Sequence, residues 1–164
     1  IMNKWRWGNF DKERLFVNRS YMPSLQTMRV GMIRIARNLI VEGKKDKAEA
    51  LADKYFEVFP DFNFPYDQFS AYMSDVYARA GAKDKAVKKV REIAKTQEAL
   101  LRFYNSQTPE FQRGYEQDFR FAAGAAQTLI GVAQFLQDAE LREELEKQFS
   151  PYLPGGPAPP PLPQ

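Results

Sequence analysis

The 164-residue sequence has neither cysteine nor histidine. Without thiols there is no disulfide and no thiolate nucleophile. Without imidazole there is no Ser-His-Asp or Cys-His catalysis, no histidine acid–base chemistry and no zinc site of the Cys/His kind. No apolar run approaches the ~20 residues that cross a bilayer. Charge of one sign is not in excess either: 24 Lys and Arg against 21 Asp and Glu leave a net +3, with a pI near 9.0. A nucleic-acid binder carries a one-sided basic stripe with stacking aromatics beside it. Here Lys and Glu alternate through helical stretches, as on a solvated face, so no nucleic-acid partner is expected. Gly114, Gly124 and Gly131 form no phosphate loop, because they sit within a helical pattern and no strand precedes them.

What is present is an ordinary globular composition, 44% apolar and 27% charged, in a chain long enough to bury a core. Thirteen Phe, eight Tyr and two Trp need cover from that core or from a partner. Ile1 in place of an initiator Met is the opening expected of a piece cut or processed from a longer protein.

The spacing predicts an all-α fold. After an aromatic segment containing Trp5, Trp7, Phe10 and Phe16, Pro23 and Ser24 open a helix whose apolar positions run Leu25, Met28, Met32, Ile35, Ala36, Leu39 and Ile40. Gly43 ends it. A second helix is predicted from about Asp46 to Phe59, before Pro60. A third is capped by Asp67 and stopped by Gly81, and a fourth runs from Asp84 to Tyr104. The fifth, from about Glu110 to Gln137, is read as the longest, with Phe111, Tyr115, Phe119, Ala122, Ala126, Leu129, Ile130 and Ala133 on one broad face. A short sixth spans Ala139–Phe149. The expected domains are 1–24, an aromatic segment packing on the repeats; 25–150, the helical repeat domain; and 151–164, a tail holding seven of the eleven prolines, which composition makes polyproline-like.

GKKDKAEA from Gly43 matches GAKDKAVK from Gly81, each between one amphipathic helix and the next. Gly makes the tight turn, Asp can cap the next helix, and Ala48 or Ala86 permits close helix approach. Internal periods of this size mark helical solenoids. The pattern resembles the tetratricopeptide repeat. Ala36, Gly43, Ala48 and Pro60 match its small, turn and closing positions, as do Ser74, Tyr77, Gly81 and Ala86, whereas Glu98 stands where the second closing proline belongs and implies a longer fourth helix. The third pair has lost the motif and reads as a terminal cap. The resemblance implies antiparallel helix pairs stacked as a short solenoid, with a groove lined by Val30, Ile33, Arg37, Ile40 and Val41, then Gln68, Ala71, Asp75, Ala78 and Arg79. The groove's first half is apolar, as for permanent cover.

A second resemblance rests on MNKWRWGNF, on Leu39, Ile40, Glu42, Gly43 and Lys44 at the first turn, on Pro60, and on the triplet Pro65, Tyr66, Asp67. These are similar to the soluble C-terminal region of a bacterial multi-pass membrane protein family of unknown function, related to protein O-mannosyltransferases. That resemblance implies a domain on the extracytoplasmic, periplasmic side of the inner membrane, partnered by its own upstream membrane domain. The chemistry of the parent would lie outside this chain.

Paired carboxylates can hydrolyse glycosides when held across a cleft. Glu57 with Asp61, Glu116 with Asp118, and Glu140 with Glu143 and Glu144 are the candidates, but beside Lys and Arg on helices they read as surface ion pairs. The Lys44–Lys47 and Lys83–Arg91 runs can meet phosphates or anionic lipid and read as solvated helix starts. Trp5 and Trp7 are a core edge or, exposed, an interface anchor. Ala158–Pro163 can dock in an aromatic groove or be a linker. The expectation is a non-catalytic protein-interaction or scaffold domain without metal or cofactor. The alternative is a free-standing, cytoplasmic adaptor that takes a partner peptide in its groove.

Overall fold

The structure is a computed structural model describing residues 6–153. Seven α-helices and two 3-10 turns make up its regular structure, and no strand occurs among the described residues. The helices are α1 (Met22–Val41), α2 (Lys45–Val58), α3 (Gln68–Ala80), α4 (Lys83–Asn105), α5 (Pro109–Gly114), α6 (Glu116–Phe135) and α7 (Ala139–Phe149). Among the described residues no helix is long and apolar enough to cross a membrane.

The turns follow from local chemistry. Gly43 and Gly81 adopt φ of 73° and 95°, the left-handed region that an L side chain enters at a cost. In each turn two backbone donors close on the preceding helix. Lys44 N–H reaches Leu39 O at 2.8 Å and Ala82 N–H reaches Tyr77 O at 2.9 Å. Ala48 and Ala86 follow, both fully buried, where a larger side chain would push the helices apart. Asp67 caps α3 as predicted, accepting from Phe69 N–H and Ser70 N–H. α4 runs through Glu98 to Asn105, as the missing proline implied.

The predicted fifth helix is two. Thr108 accepts from Phe111 N–H to start α5, which ends after six residues, and Tyr115 leaves helical geometry with φ −117° and ψ 20°. Gly114, the poorest helix former short of proline, immediately precedes the break. α4, with 23 residues, is therefore the longest helix, not the fifth. The broad apolar face is left uncovered at its start, where α5 buries no residue and Tyr115 is exposed.

α1 packs on α2 and α3, α3 on α2, α4 and α6, α6 on α4 and α7, and α7 on α4. The interior between α2 and α3 is ring-rich. Tyr55, Phe56 and Phe59 meet one another, Phe64, Tyr66 and Tyr77 at centroid distances of 5.2–5.8 Å. Fully burying one such ring contributes on the order of 2 kcal/mol. Tyr66 is tied from behind by Gln97, a buried α4 side chain that donates to its carbonyl at 2.6 Å.

One side chain makes three hydrogen bonds to the segment before α1. Asn63 accepts from Leu15 N–H at 2.8 Å and donates to the carbonyls of Phe10 and Glu13 at 2.8 and 2.7 Å. This seats Trp7 edge-on against Phe59 and Phe10 edge-on against Phe64. Trp7 and Phe10 thus pack at the C-terminal end of α2 and the loop that follows it, whereas Phe16 is 93% exposed. Trp5 and residues 154–164 lie outside the described residues.

Candidate interaction surface

α1, α3 and α6 lie side by side, and their outward residues meet across the helix boundaries. The Arg37 guanidinium of α1 lies 5.3 Å from the ring centroid of Tyr72 on α3. The Tyr72 hydroxyl accepts from Gln68 Nε2 at 2.7 Å, and Gln68 itself reaches α6, where its amide packs over Gly124. A Cβ at Gly124 would come within 3.0 Å of that amide nitrogen, so glycine lets the side chain lie flat between the helices. One turn further, Arg79 Nε donates to both carboxylate oxygens of Asp75 at 2.8 and 2.9 Å while its guanidinium sits 4.8 Å from the ring centroid of Phe135 on α6. The Asp75 hydrogen bond, followed by its charge, raises the Arg79 pKa. A cation held over a ring by a carboxylate is a rigid anchor rather than a wandering surface charge.

The residues predicted to line a groove separate into two groups. Arg37, Gln68, Asp75 and Arg79 emerge together on this face. Val30 and Val41 are exposed and Ile40 is half-covered. Ile33 is a correction, since it is buried in the core and presents nothing to a partner. Ala71 and Ala78 are likewise buried. The reason is helical phase: Ile33 lies four residues after the buried Arg29 and three before the buried Ala36, on the inward stripe. Trp7 is packed against the core, so it is not an exposed anchor.

The interior polar knot went unread in the sequence. Arg29 is 3% exposed, and its Nε donates to Tyr55 Oη at 2.8 Å. Its two terminal nitrogens reach both Asp67 oxygens at 2.8 and 2.6 Å, and one also reaches Ser70 Oγ at 3.2 Å. The rings of Tyr55, Phe59 and Phe69 surround it at 5.1–5.6 Å. Burial pulls the Arg29 pKa down, but Tyr55 and Asp67 more than offset this and the net shift is upward. Burial pushes the Tyr55 phenol up to about 12. Every polar group of the knot is satisfied internally. It fixes α1, α2 and α3 against one another and leaves Asp67 in its capping position.

The acidic clusters lie on helix surfaces. Glu57 pairs with Lys54 at 2.6 Å, Glu116 pairs with Arg120, and Glu144 pairs with Arg91 at 2.9 Å. Asp61 accepts Tyr66 N–H at 2.9 Å and so shapes the loop before α3. The basic runs are spent on neighbours: Lys85 reaches Glu49 and Asp53 on α2, each at 2.8 Å, and Lys89 meets Tyr66 and Glu92.

No family model, curated protein or solved structure matches the chain.

Proposed function

We propose that the chain is a non-catalytic scaffold or protein-interaction domain, built as a short tetratricopeptide-like solenoid and carried as the extracytoplasmic appendage of a membrane glycosyltransferase-like protein. In this reading α1/α2, α3/α4 and α6/α7 are successive helix pairs and α5 is an insertion. The succession of contacts supports it, since α1 touches α3 and α3 touches α6. So does a third turn of the same kind: Gln137 takes φ 53° and Asp138 N–H bonds Ala133 O at 3.1 Å, the geometry seen at Gly43 and Gly81. The motif lost in the residues is kept in the backbone.

The observation that carries the function is the face shared by α1, α3 and α6, where Arg37–Tyr72 and Asp75–Arg79–Phe135 present positioned cations and rings beside exposed Val30 and Val41. Arg and aromatic residues are the side chains that dominate binding at protein interfaces. The partner in the appendage reading is the chain's own upstream membrane region, on the periplasmic side of a bacterial inner membrane. The cytoplasmic adaptor is the second reading, and Arg37 favours it. Held 5.3 Å from the Tyr72 ring centroid, its exposed guanidinium has the planar fork of donors that can grip a peptide carboxylate in bidentate fashion.

The test is copurification and titration of the chain with the membrane region encoded upstream of it. Arg37→Glu combined with Phe135→Ala should weaken that association at least about tenfold, roughly 1.4 kcal/mol, without loss of helix by circular dichroism. Unchanged affinity removes this face as the contact. Capture of a peptide in the absence of any upstream membrane region selects the adaptor. Glycosyl transfer or hydrolysis by the isolated chain, abolished by Glu57→Gln or Glu116→Gln, makes it an enzyme instead.

A further inference from the structure

Away from that face, where α4, α5 and α6 meet, rings gather that the core does not cover. Phe103 and Tyr115 are each about half exposed, at 48% and 46%. Phe111 stacks on Tyr115 with centroids 4.3 Å apart, and Phe103 stands edge-on to Phe111 at 5.8 Å and to Tyr104 at 5.7 Å. Behind them a cleft of about 180 Å³ opens between Tyr104, Tyr115 and Phe119, floored by Asn105 and Gln112. Contiguous exposed rings of this kind mark a surface meant to be covered.

The place where the described chain ends says by what. Tyr152 is buried and packs with its 3-10 turn on α4 and α7. Glu98 and Arg102 of α4 are close enough to perturb its phenol, so the root of the C-terminal segment is pinned on the helix whose last turns carry Phe103 and Tyr104. The sequence that follows, PGGPAPPPLPQ over 154–164, carries no charged side chain. In polyproline II it reaches roughly 30 Å, at about 3.1 Å per residue, several times the length of the last turn of α4. Proline-rich segments bind across parallel aromatic rings, with proline rings between them and backbone carbonyls accepting from tyrosine hydroxyls and amides. The patch offers half-exposed rings in Phe103 and Tyr115, with Tyr104 and the Gln112 amide lining the cleft beside them. Covalent attachment at Tyr152 raises the local concentration of the segment far above that of a free ligand.

We propose that residues 154–164 of this chain dock on the Phe103–Phe111–Tyr115 patch, so that the tail is a tethered ligand of its own domain and a competitor for any proline-rich segment presented by a partner.

The absence of cysteine makes the test clean. In the full-length protein, Ala158→Cys carrying a nitroxide should strip most of the amide intensity from residues 103–115, while the amides of α1 keep theirs. Pro159→Ser with Pro160→Ser and Pro161→Ser alters none of the described residues and should restore the intensity. Phe111→Ser with Tyr115→Ser should restore it too, at positions where α5 buries nothing. Full intensity over 103–115 in the labelled protein overturns the proposal, as does attenuation that survives both sets of substitutions. Attenuation found only when labelled chains are mixed with unlabelled isotopically enriched ones overturns it in favour of a second copy as occupant.

Discussion

Around α2 and α3 the buried side chains include the rings of Tyr55, Phe56, Phe59 and Tyr77 beside the small Ala48, Ala52, Ser70, Ala71, Ser74 and Ala78, with a charged guanidinium set among them. Along α6 they are Ala122, Ala125, Ala126, Ala133, Leu129 and Val132, with no charged group among them. In the first region the Arg29 knot ties α1 to Tyr55 of α2 and to Asp67 and Ser70 at the start of α3. The second brings α6 onto α3 and α4 through small residues and has no ring cluster or buried charge, its side-chain ties to α3 being Gln68 over Gly124 and Arg79 over Phe135 at the surface. One helical architecture is therefore supported by two kinds of interior. A hydrogen-bonded polar centre specifies geometry that soft ring packing leaves loose, whereas alanine packing is already specific because it tolerates no extra volume.

Breaking the polar centre should have the largest effect. Arg29→Ala leaves Tyr55 Oη and Ser70 Oγ without the guanidinium and opens a void under three rings, so it should destabilise by about 3–5 kcal/mol in denaturant unfolding. Arg29→Met, which fills much of the volume, should recover a large part of that loss. If Arg29→Ala moved the midpoint no further than an exposed substitution does, the knot would be ornamental and the two regions would differ in composition only.

The knot also marks where the sequence stopped being legible. Helix positions could be read from Leu25, Met28, Met32 and Ala36, because apolar burial repeats with the helical period, and the Gly43 and Gly81 turns from residues that favour positive φ. Arg29 stands on the same inward stripe, four residues after Leu25, and a charge at that phase was the available signal. Its partner Asp67 was recognised as a helix cap, but nothing local announces that one carboxylate both caps α3 and neutralises a guanidinium 38 residues earlier. The break at Tyr115 was missed because Phe111, Tyr115 and Phe119 keep helical spacing across it, and spacing does not report solvent exposure. Arg37, Asp75 and Arg79 follow from register, but the Arg37–Tyr72 contact requires α1 beside α3 and the Arg79–Phe135 contact requires α3 beside α6, which no local pattern encodes.

The turns extend the comparison at a smaller scale. A Cβ at Gly43 or Gly81 would meet nothing within 4 Å, so the whole penalty of substitution is backbone conformation. Gly43→Val and Gly81→Val should each destabilise by roughly 1–2 kcal/mol. Gly81, at φ 95°, lies further from the left-handed minimum of an L residue than Gly43 at 73°, so it should suffer more. Thermal melts of the two variants test the order. Equal or absent shifts would mean that these turns are not held to the geometry their hydrogen bonds indicate.

The smallest effect should come from the third turn, where the chain has a glutamine in the position that the first two give to glycine. Gln137 at φ 53° sits close to the left-handed minimum, which a side chain can occupy at a cost of about 1 kcal/mol. The residue is exposed, so no packing is lost by removing its side chain. Gln137→Gly relieves that strain but gives the unfolded chain more freedom, a term of roughly 0.4–1 kcal/mol in the opposite direction. The two nearly cancel, and the expected outcome is a gain of at most a few tenths of a kcal/mol. Asp138, which accepts from Leu141 N–H at 3.1 Å, still caps α7 and keeps the turn in place. Gln137→Val, whose β-branch makes positive φ more strained, should instead lose about 1–2 kcal/mol. Equal stability of the Gly and Val variants would show that this turn is not under backbone constraint, and the third helix pair would then no longer share its turn with the first two.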